Sequence, residues 1–320
     1  ALMMAVQQWT QQSGLFLDLE GHGREDIAET VDISRTVGWF TSMFPLSLDI
    51  SHLADLEPNG STYLGSAYLS ELIKSVKQQN KAMPMRGMGF GVLRYCHEDD
   101  AVRDALSNIA ESQLAFNYLG RLDAPINVQT LIKPATESMG SVHALNNHRS
   151  HALEMLAMVQ QGCLRMVLTY PKQAIEKSAV EAFLQYYQQS LEAIIEHCLL
   201  PESKGFTPCD FPLAGLTQTE LDHCLQAHQL LHKIEDLYPL SPMQEGMLFH
   251  SLYETESEVY CEQMDCRIHN EIDEQAFASA WQELLNGHTI LRTAFIIDGL
   301  KKPLQCVLRE VDLPLKVIDY

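Results

Sequence analysis

A mixed α/β (α+β) fold is predicted by three features of the chain. Leu15, Leu17 and Leu19 alternate with Phe16 and Asp18 up to Glu20, the two-residue period of a strand buried mainly on one face. Residues 66–79 place Leu69, Leu72, Ile73 and Val76 at helical spacing. Residues 178–199 extend the same period through Val180, Phe183, Leu184, Tyr187, Leu191, Ile194 and Ile195.

The elements follow in order. Residues 1–9 (ALMMAVQQW) read as a helix already in mid-course, without the basic segment and cleavage site of a secretory signal. The strand ending at Glu20 leaves through Gly21 and Gly23, which allow a tight exit. Residues 99–111 repeat the helical pattern with Val102, Leu106 and Ile109, residues 164–170 (LRMVLTY) form a strand, and the long helix ends at Pro201. Residues 201–215 (PESKGFTPCDFPLAG) read as a semi-extended connector that Phe206, Phe211 and Leu213 can pin to a surface. Thr217 and Glu220 form a capping box for a helix reaching about Leu231.

Farther on, Ser241, Pro242 and Gln244 supply a cap, a first-turn proline and a capping partner, so a helix begins there and Ser241 is structural rather than nucleophilic. Asp273 caps a further helix with Phe277, Trp281, Leu284 and Leu285 as its buried stripe, stopped near Gly287. Residues 289–297 read as a strand, and Asp298-Gly299 as a turn into a partner strand at 303–308.

Composition describes a soluble, intracellular, globular protein whose 320 residues suffice for two domains, with no apolar run approaching a membrane span. A formal charge of −20 argues against the nucleic-acid backbone as a partner. Eight cysteines scattered singly imply reduced thiols, and Cys198, Cys209, Cys261 and Cys266 read as structural or free. Gly87, Gly89 and Gly91 lack the strand-turn-helix setting of a dinucleotide site and read as a sharp turn into a strand. His143, His148 and His151 match no compact zinc spacing and read as a solvated loop. Trp39 and Phe40 are assigned to the core.

Glu20, in residues 17–25 (LDLEGHGRE), is the candidate functional group. Its residues leave two readings open: a solvated acid that caps the strand and pairs with Arg24, or a carboxylate held at a strand end to move protons.

Residues 20–25 (EGHGRE) with 32–46 (DISRTVGWFTSMFPL), 84–94 (PMRGMGFGVLR), 116–123 (FNYLGRLD) and 151–159 (HALEMLAMV) resemble, in order, the epimerization domain of nonribosomal peptide synthetases. Residues 238–250 (YPLSPMQEGMLFH) and 288–295 (HTILRTAF) resemble the opening motifs of a condensation domain. The resemblance implies chloramphenicol-acetyltransferase-like lobes: a C-terminal epimerization part over 1–200, a linker and helix over 201–232, and an N-terminal condensation part over 233–320. Both families carry an HHxxxDG motif, and this sequence holds no His-His pair. The expected histidines would lie before Ala1 in one domain and after Tyr320 in the other.

By resemblance, Glu20 is one of two proton carriers that invert the α-carbon of an L-aminoacyl or peptidyl thioester, and a condensation domain then accepts the D-configured product. Arg24, Asn117 and Tyr118 would position Glu20 or line the site. The substrate would ride on the 4'-phosphopantetheine arm of a peptidyl carrier protein, with adjoining synthetase domains as further partners, a cytoplasmic location, and no metal, nucleotide or bound cofactor. The alternative is that this chain acts as a catalytically incomplete interaction module at a domain junction; an acyltransferase centred on the condensation part would be latent here.

Overall fold

The computed structural model describes residues 1–25, 31–56, 65–122, 137, 140, 144, 147–253, 260 and 262–318. The chain divides into two compact units, Ala1–Ser203 and Lys204–Tyr320.

The first unit runs α1 (Leu2–Thr10), β1 (Gly14–Gly21), β2 (Ser42–Asp49), α2 (Ser66–Lys81), α3 (Gly89–Cys96), α4 (Asp100–Ser107), β3 (Leu114–Arg121), β4 (Leu153–Gln160), β5 (Cys163–Thr169) and α5 (Lys177–Cys198). Its five strands lie in the order β2-β1-β3-β4-β5. The β1–β3 and β3–β4 pairs are parallel, and the outer pairs β1–β2 and β4–β5 are antiparallel.

Strand alternation sends one set of side chains to each face of this sheet. Leu15 and Leu17 of β1, Leu46 and Leu48 of β2, Leu114 of β3 and Met155 of β4 pack with Met3 and Met4 of α1, Tyr68, Leu69 and Leu72 of α2, and Phe183 and Tyr187 of α5 in one buried cluster. The other face of β1 carries Phe16, Asp18 and Glu20, which are therefore directed away from that core.

The segment over residues 84–94 differs from the expected turn into a strand. A single 3-10 turn, Pro84–Gly87, leads into the helix α3. Met85, Arg86 and Gly87 all take positive φ, 46°, 49° and 80°. A side chain at Gly87 would put its Cβ 2.0 Å from the ring of Phe44, which is itself buried. The glycine is thus required by close approach as well as by backbone angle. Trp39 is 90 % exposed rather than in the core, and Phe40 is half-buried beneath Arg24. Ile109 lies beyond the end of α4, which closes earlier than its apolar spacing suggests.

In the second unit, α6 (Gln218–Ala227), β6 (Ile234–Pro239), α7 (Pro242–Tyr253), α8 (Glu274–Gly287), β7 (Thr293–Ile296) and β8 (Leu304–Leu308) surround a three-stranded antiparallel sheet ordered β6-β8-β7. The proline-rich stretch after Pro201 is folded rather than semi-extended. Two 3-10 turns form there, Thr207 and Asp210 close a capping box, and Phe211 is buried with Leu221, Leu225, Ile234 and Leu304. Phe206 packs beside it, whereas Leu213 is exposed.

Caps at Thr217, Ser241 and Asp273 form as their sequences require. The stripe on α8 does not bury as a whole: Leu285 does, while Phe277, Trp281 and Leu284 remain partly exposed. Residues 289–297 begin as a 3-10 turn rather than a strand, because the buried Arg292 reaches back to donate to Leu285 O while pairing with Glu235 at 2.7 Å. The seven described cysteines are free thiols, and only Cys224 and Cys306 are buried. Burial, with Cys224 nearby, pushes the Cys306 thiol up to about 11, so it stays protonated and inert.

Two outcomes follow from this packing. Gly87→Ala is expected to lose about 1–3 kcal/mol of stability in urea denaturation, because the new Cβ must displace Phe44 and strain the backbone. Gly89→Ala, where nothing lies within 4 Å, is expected to change stability by less than about 1 kcal/mol.

The second outcome concerns Glu220. Its Lys301 partner at 2.8 Å, then the Thr217 backbone and hydroxyl, hold its carboxyl at about 2, below the ordinary 4.5. A depressed acid contributes stability that is present above its unfolded value and lost as pH falls toward the folded one. Glu220→Gln should therefore lower the urea midpoint at pH 6, with the gap to the unaltered protein narrowing steadily down to pH 3.

Candidate active site

Glu20 occupies the penultimate position of β1, opposite Met43 of β2. The parallel register of β1 with β3 pairs Asp18 with Ala115 and Leu19 with Phe116, so the next step sets Asn117 beside Glu20. The Asn117 amide Nδ2 donates to Glu20 Oε2. This contact fixes one carboxylate oxygen and leaves the other for chemistry. Glu20 is half-buried, and it borders two cavities. One, of about 330 Å³, is also lined by His22, Glu25, Arg86, Phe116 and Tyr118. The other, of about 290 Å³, is lined with Asp18, Asn117, His151 and Glu154.

The loop after β1 is shaped by Gly23, whose φ is 63° and whose hypothetical Cβ would fall 1.6 Å from the carbonyl oxygen of Phe40. Only glycine lets these segments meet. Arg24 then turns away from Glu20: it donates from Nη1 to Ile33 O at 2.7 Å and from Nη2 to Gly38 O at 3.2 Å, and its guanidinium lies 4.3 Å from the Phe40 ring centre. Among the described residues no ion pair joins Arg24 to Glu20, so the residue expected to position the carboxylate clamps the adjoining loop instead. Glu25 lies 3.5 Å from the Arg86 guanidinium and 3.3 Å from His22 Nε2. Tyr118 is 53 % exposed and lines the larger of the two cavities.

His151 is the residue that sequence reasoning misplaced. It is buried rather than solvated, and its Nε2 lies 2.8 Å from Asp18 Oδ2. Ala115, beside Asp18 on β3, presents only a methyl group, which leaves room for the pair to meet across that strand. Arg149 holds the approach to β4 by donating to His151 O and Thr169 O and pairing with Glu154 at 3.1 Å. The available signal was the spacing of Asp18 and Glu20, two residues apart and hence on one face of a strand. His143 lies outside the described residues, as do Asp123 and Cys261. No group of three or more His, Cys, Asp or Glu able to hold a metal occurs among the described residues. Nor is any described helix long and apolar enough to cross a membrane.

Comparison with known proteins gives this geometry a family. The profile described as "Condensation domain" matches residues 1–214 and 234–320, and the chain belongs to that family. Over 320 residues it is 37 % identical to a linear gramicidin synthase protein of Brevibacillus parabrevis, covering 100 % of this chain and 4 % of that protein. It is 34 % identical over 319 residues to bacitracin synthase 3 of Bacillus licheniformis, covering 100 % of this chain and 5 % of that one. The chain thus spans about one-twentieth of the length of these relatives.

The crystal structure of the epimerization domain from the third module of tyrocidine synthetase B superposes with a TM-score of 0.53 and 29 % identity, covering 62 % of this chain and 41 % of that one. The protein is of the condensation and epimerization type found in nonribosomal peptide synthetases, with the mixed α/β architecture of the chloramphenicol-acetyltransferase-like fold.

Proposed function

We propose that this chain carries the carboxylate side of an epimerization site in a nonribosomal peptide synthetase, over 1–200, followed by the N-terminal part of a condensation domain over 233–320. The observation that carries this reading is the Glu20 carboxylate, fixed by Asn117 and bordering two cavities at the end of β1, of which the one of about 290 Å³ also takes in Asp18 and Asn117. The substrate is an aminoacyl or peptidyl thioester, presented on the 4'-phosphopantetheine arm of a peptidyl carrier protein; the arm is part of the substrate and not a cofactor of this chain. Similarity to an epimerization domain of a peptide synthetase supports the assignment.

The chemistry is a proton transfer without redox change. The thioester carbonyl acidifies the α-carbon. The α-C–H bond breaks with its electron pair passing into the enolate, and Glu20 takes or returns the proton on one face. A second carrier serves the opposite face, and the family resemblance assigns it to an HHxxxDG motif not contained in these 320 residues. Asn117 keeps the Glu20 carboxylate aimed, and Tyr118, which lines the same cavity of about 330 Å³, would donate a hydrogen bond toward the developing enolate. The D-configured thioester is then the donor for peptide-bond formation with the next aminoacyl acceptor, joining this segment to adjoining synthetase domains.

In the full-length protein, Glu20→Gln is expected to abolish α-proton exchange on a carrier-bound aminoacyl thioester, by at least about a hundredfold. The urea midpoint should stay near that of the unaltered protein, because residue 20 lies outside the core. Near-normal exchange by the variant would remove Glu20 from the mechanism. Absence of exchange in the unaltered full-length protein would favour a junction module without epimerase activity.

A further inference from the structure

Asp18 and Glu20 stand two residues apart on the same face of β1, about 7 Å between backbones, and both line the cavity of about 290 Å³. Asp18 is engaged by His151, whose side chain is 6 % exposed and whose Nε2 lies 2.8 Å from Asp18 Oδ2. Against a carboxylate that nitrogen must carry the proton. His151 Nδ1 is also buried, and no hydrogen-bond partner occupies it. A packing histidine would have both nitrogens satisfied; here one nitrogen serves Asp18, and the ring is otherwise committed to the cavity wall. Arg149, by holding His151 O and pairing with Glu154, keeps the ring in place and neutralises the nearest carboxylate of β4.

We propose that Asp18 and His151 form a positioning pair for Glu20: His151, donating from Nε2, holds the Asp18 carboxylate in place, so that Glu20 alone presents negative charge where the α-proton moves. This rests on the reading of Glu20 as a proton carrier. The charged and titratable groups facing the pair are Glu20 on its own strand, the Arg149–Glu154 pair at β4, and, across the adjoining cavity of about 760 Å³, Arg94, Tyr95 and Cys96 of α3 with Glu111 ahead of β3. Of these, Glu20 shares a strand face with Asp18, and Glu154 already has Arg149.

The test is the pH dependence of α-proton exchange on a carrier-loaded aminoacyl thioester, using the full-length protein. His151→Gln frees the Asp18 carboxylate to turn toward Glu20, and the acid limb of the profile is expected to move to higher pH by roughly one unit. The double variant Asp18→Asn with His151→Gln removes the freed charge, and the limb should return to its original position. Asp18→Asn alone removes the carboxylate that His151 holds and should keep the limb in place, whatever it does to the maximum rate; this variant also decides the matter if His151→Gln fails to unfold cooperatively.

An unmoved limb in His151→Gln would overturn the proposal. So would a limb that stays displaced in the double variant, or a downward shift of about one unit in Asp18→Asn. A purely structural role lowers the rate at every pH without moving the limb. Should the unaltered protein exchange while Glu20→Gln does so equally well, the reading of Glu20 falls first, and the role of the pair falls with it.

Discussion

The two-residue alternation of β1 is the constraint on which the first unit depends. A single strand, flanked by β2 on one side and β3 on the other, delivers Leu15 and Leu17 to a helix-covered core and Asp18 and Glu20 to the opposite face. A shift of one residue in register would exchange the two sets, burying carboxylates under α1, α2 and α5. Core packing therefore does more than stabilise the unit: the leucines that bury at roughly 1.5–3 kcal/mol each fix where the acids point. Parallel pairing with β3 then sets Asn117 at the level of Glu20, so the contact between these two side chains is a consequence of sheet register.

Much of this was legible in the sequence because it is local. Alternation located β1, helical spacing located α2 and α5, and the caps at Thr217, Ser241 and Asp273 formed as their hydrogen-bonding chemistry demands. What escaped were contacts set by distant segments. Met85, Arg86 and Gly87 turn left-handed over the Phe44 ring, a constraint that the glycine spacing alone presents as a turn into a strand. Arg24 finds carbonyl oxygens at residues 33 and 38 instead of the neighbouring carboxylate, since a guanidinium fork satisfies several acceptors at once. His151 meets Asp18 across 133 residues of chain, and its neighbours in sequence, His148 and Arg149, gave the stretch the look of a solvated loop.

The second unit shows the same division between local and distant control. Its proline-rich opening looks unstructured by composition, but Thr207 and Asp210 cap each other and Phe211 enters the core that Ile234, Leu304 and Cys306 complete. Arg292 donates to the Leu285 carbonyl and pairs with Glu235, drawing the C-terminal end of α8 and the start of β6 together. That role explains why an arginine stands in the middle of an apolar run such as HTILRTAF: it is a buried tie between elements, and the residues before it coil to let the side chain reach.

A face of β1 that moves the α-proton of a carrier-bound thioester through Glu20 must exchange that proton with solvent, and deuterium incorporation reads this out. The full-length protein would be given an L-aminoacyl thioester on its carrier protein in heavy water, and the released amino acid analysed for label and configuration. Deuterium is expected at the α-carbon in both the D and the L product. Thioester that remains wholly L and unlabelled, on a carrier shown to be loaded, would contradict it.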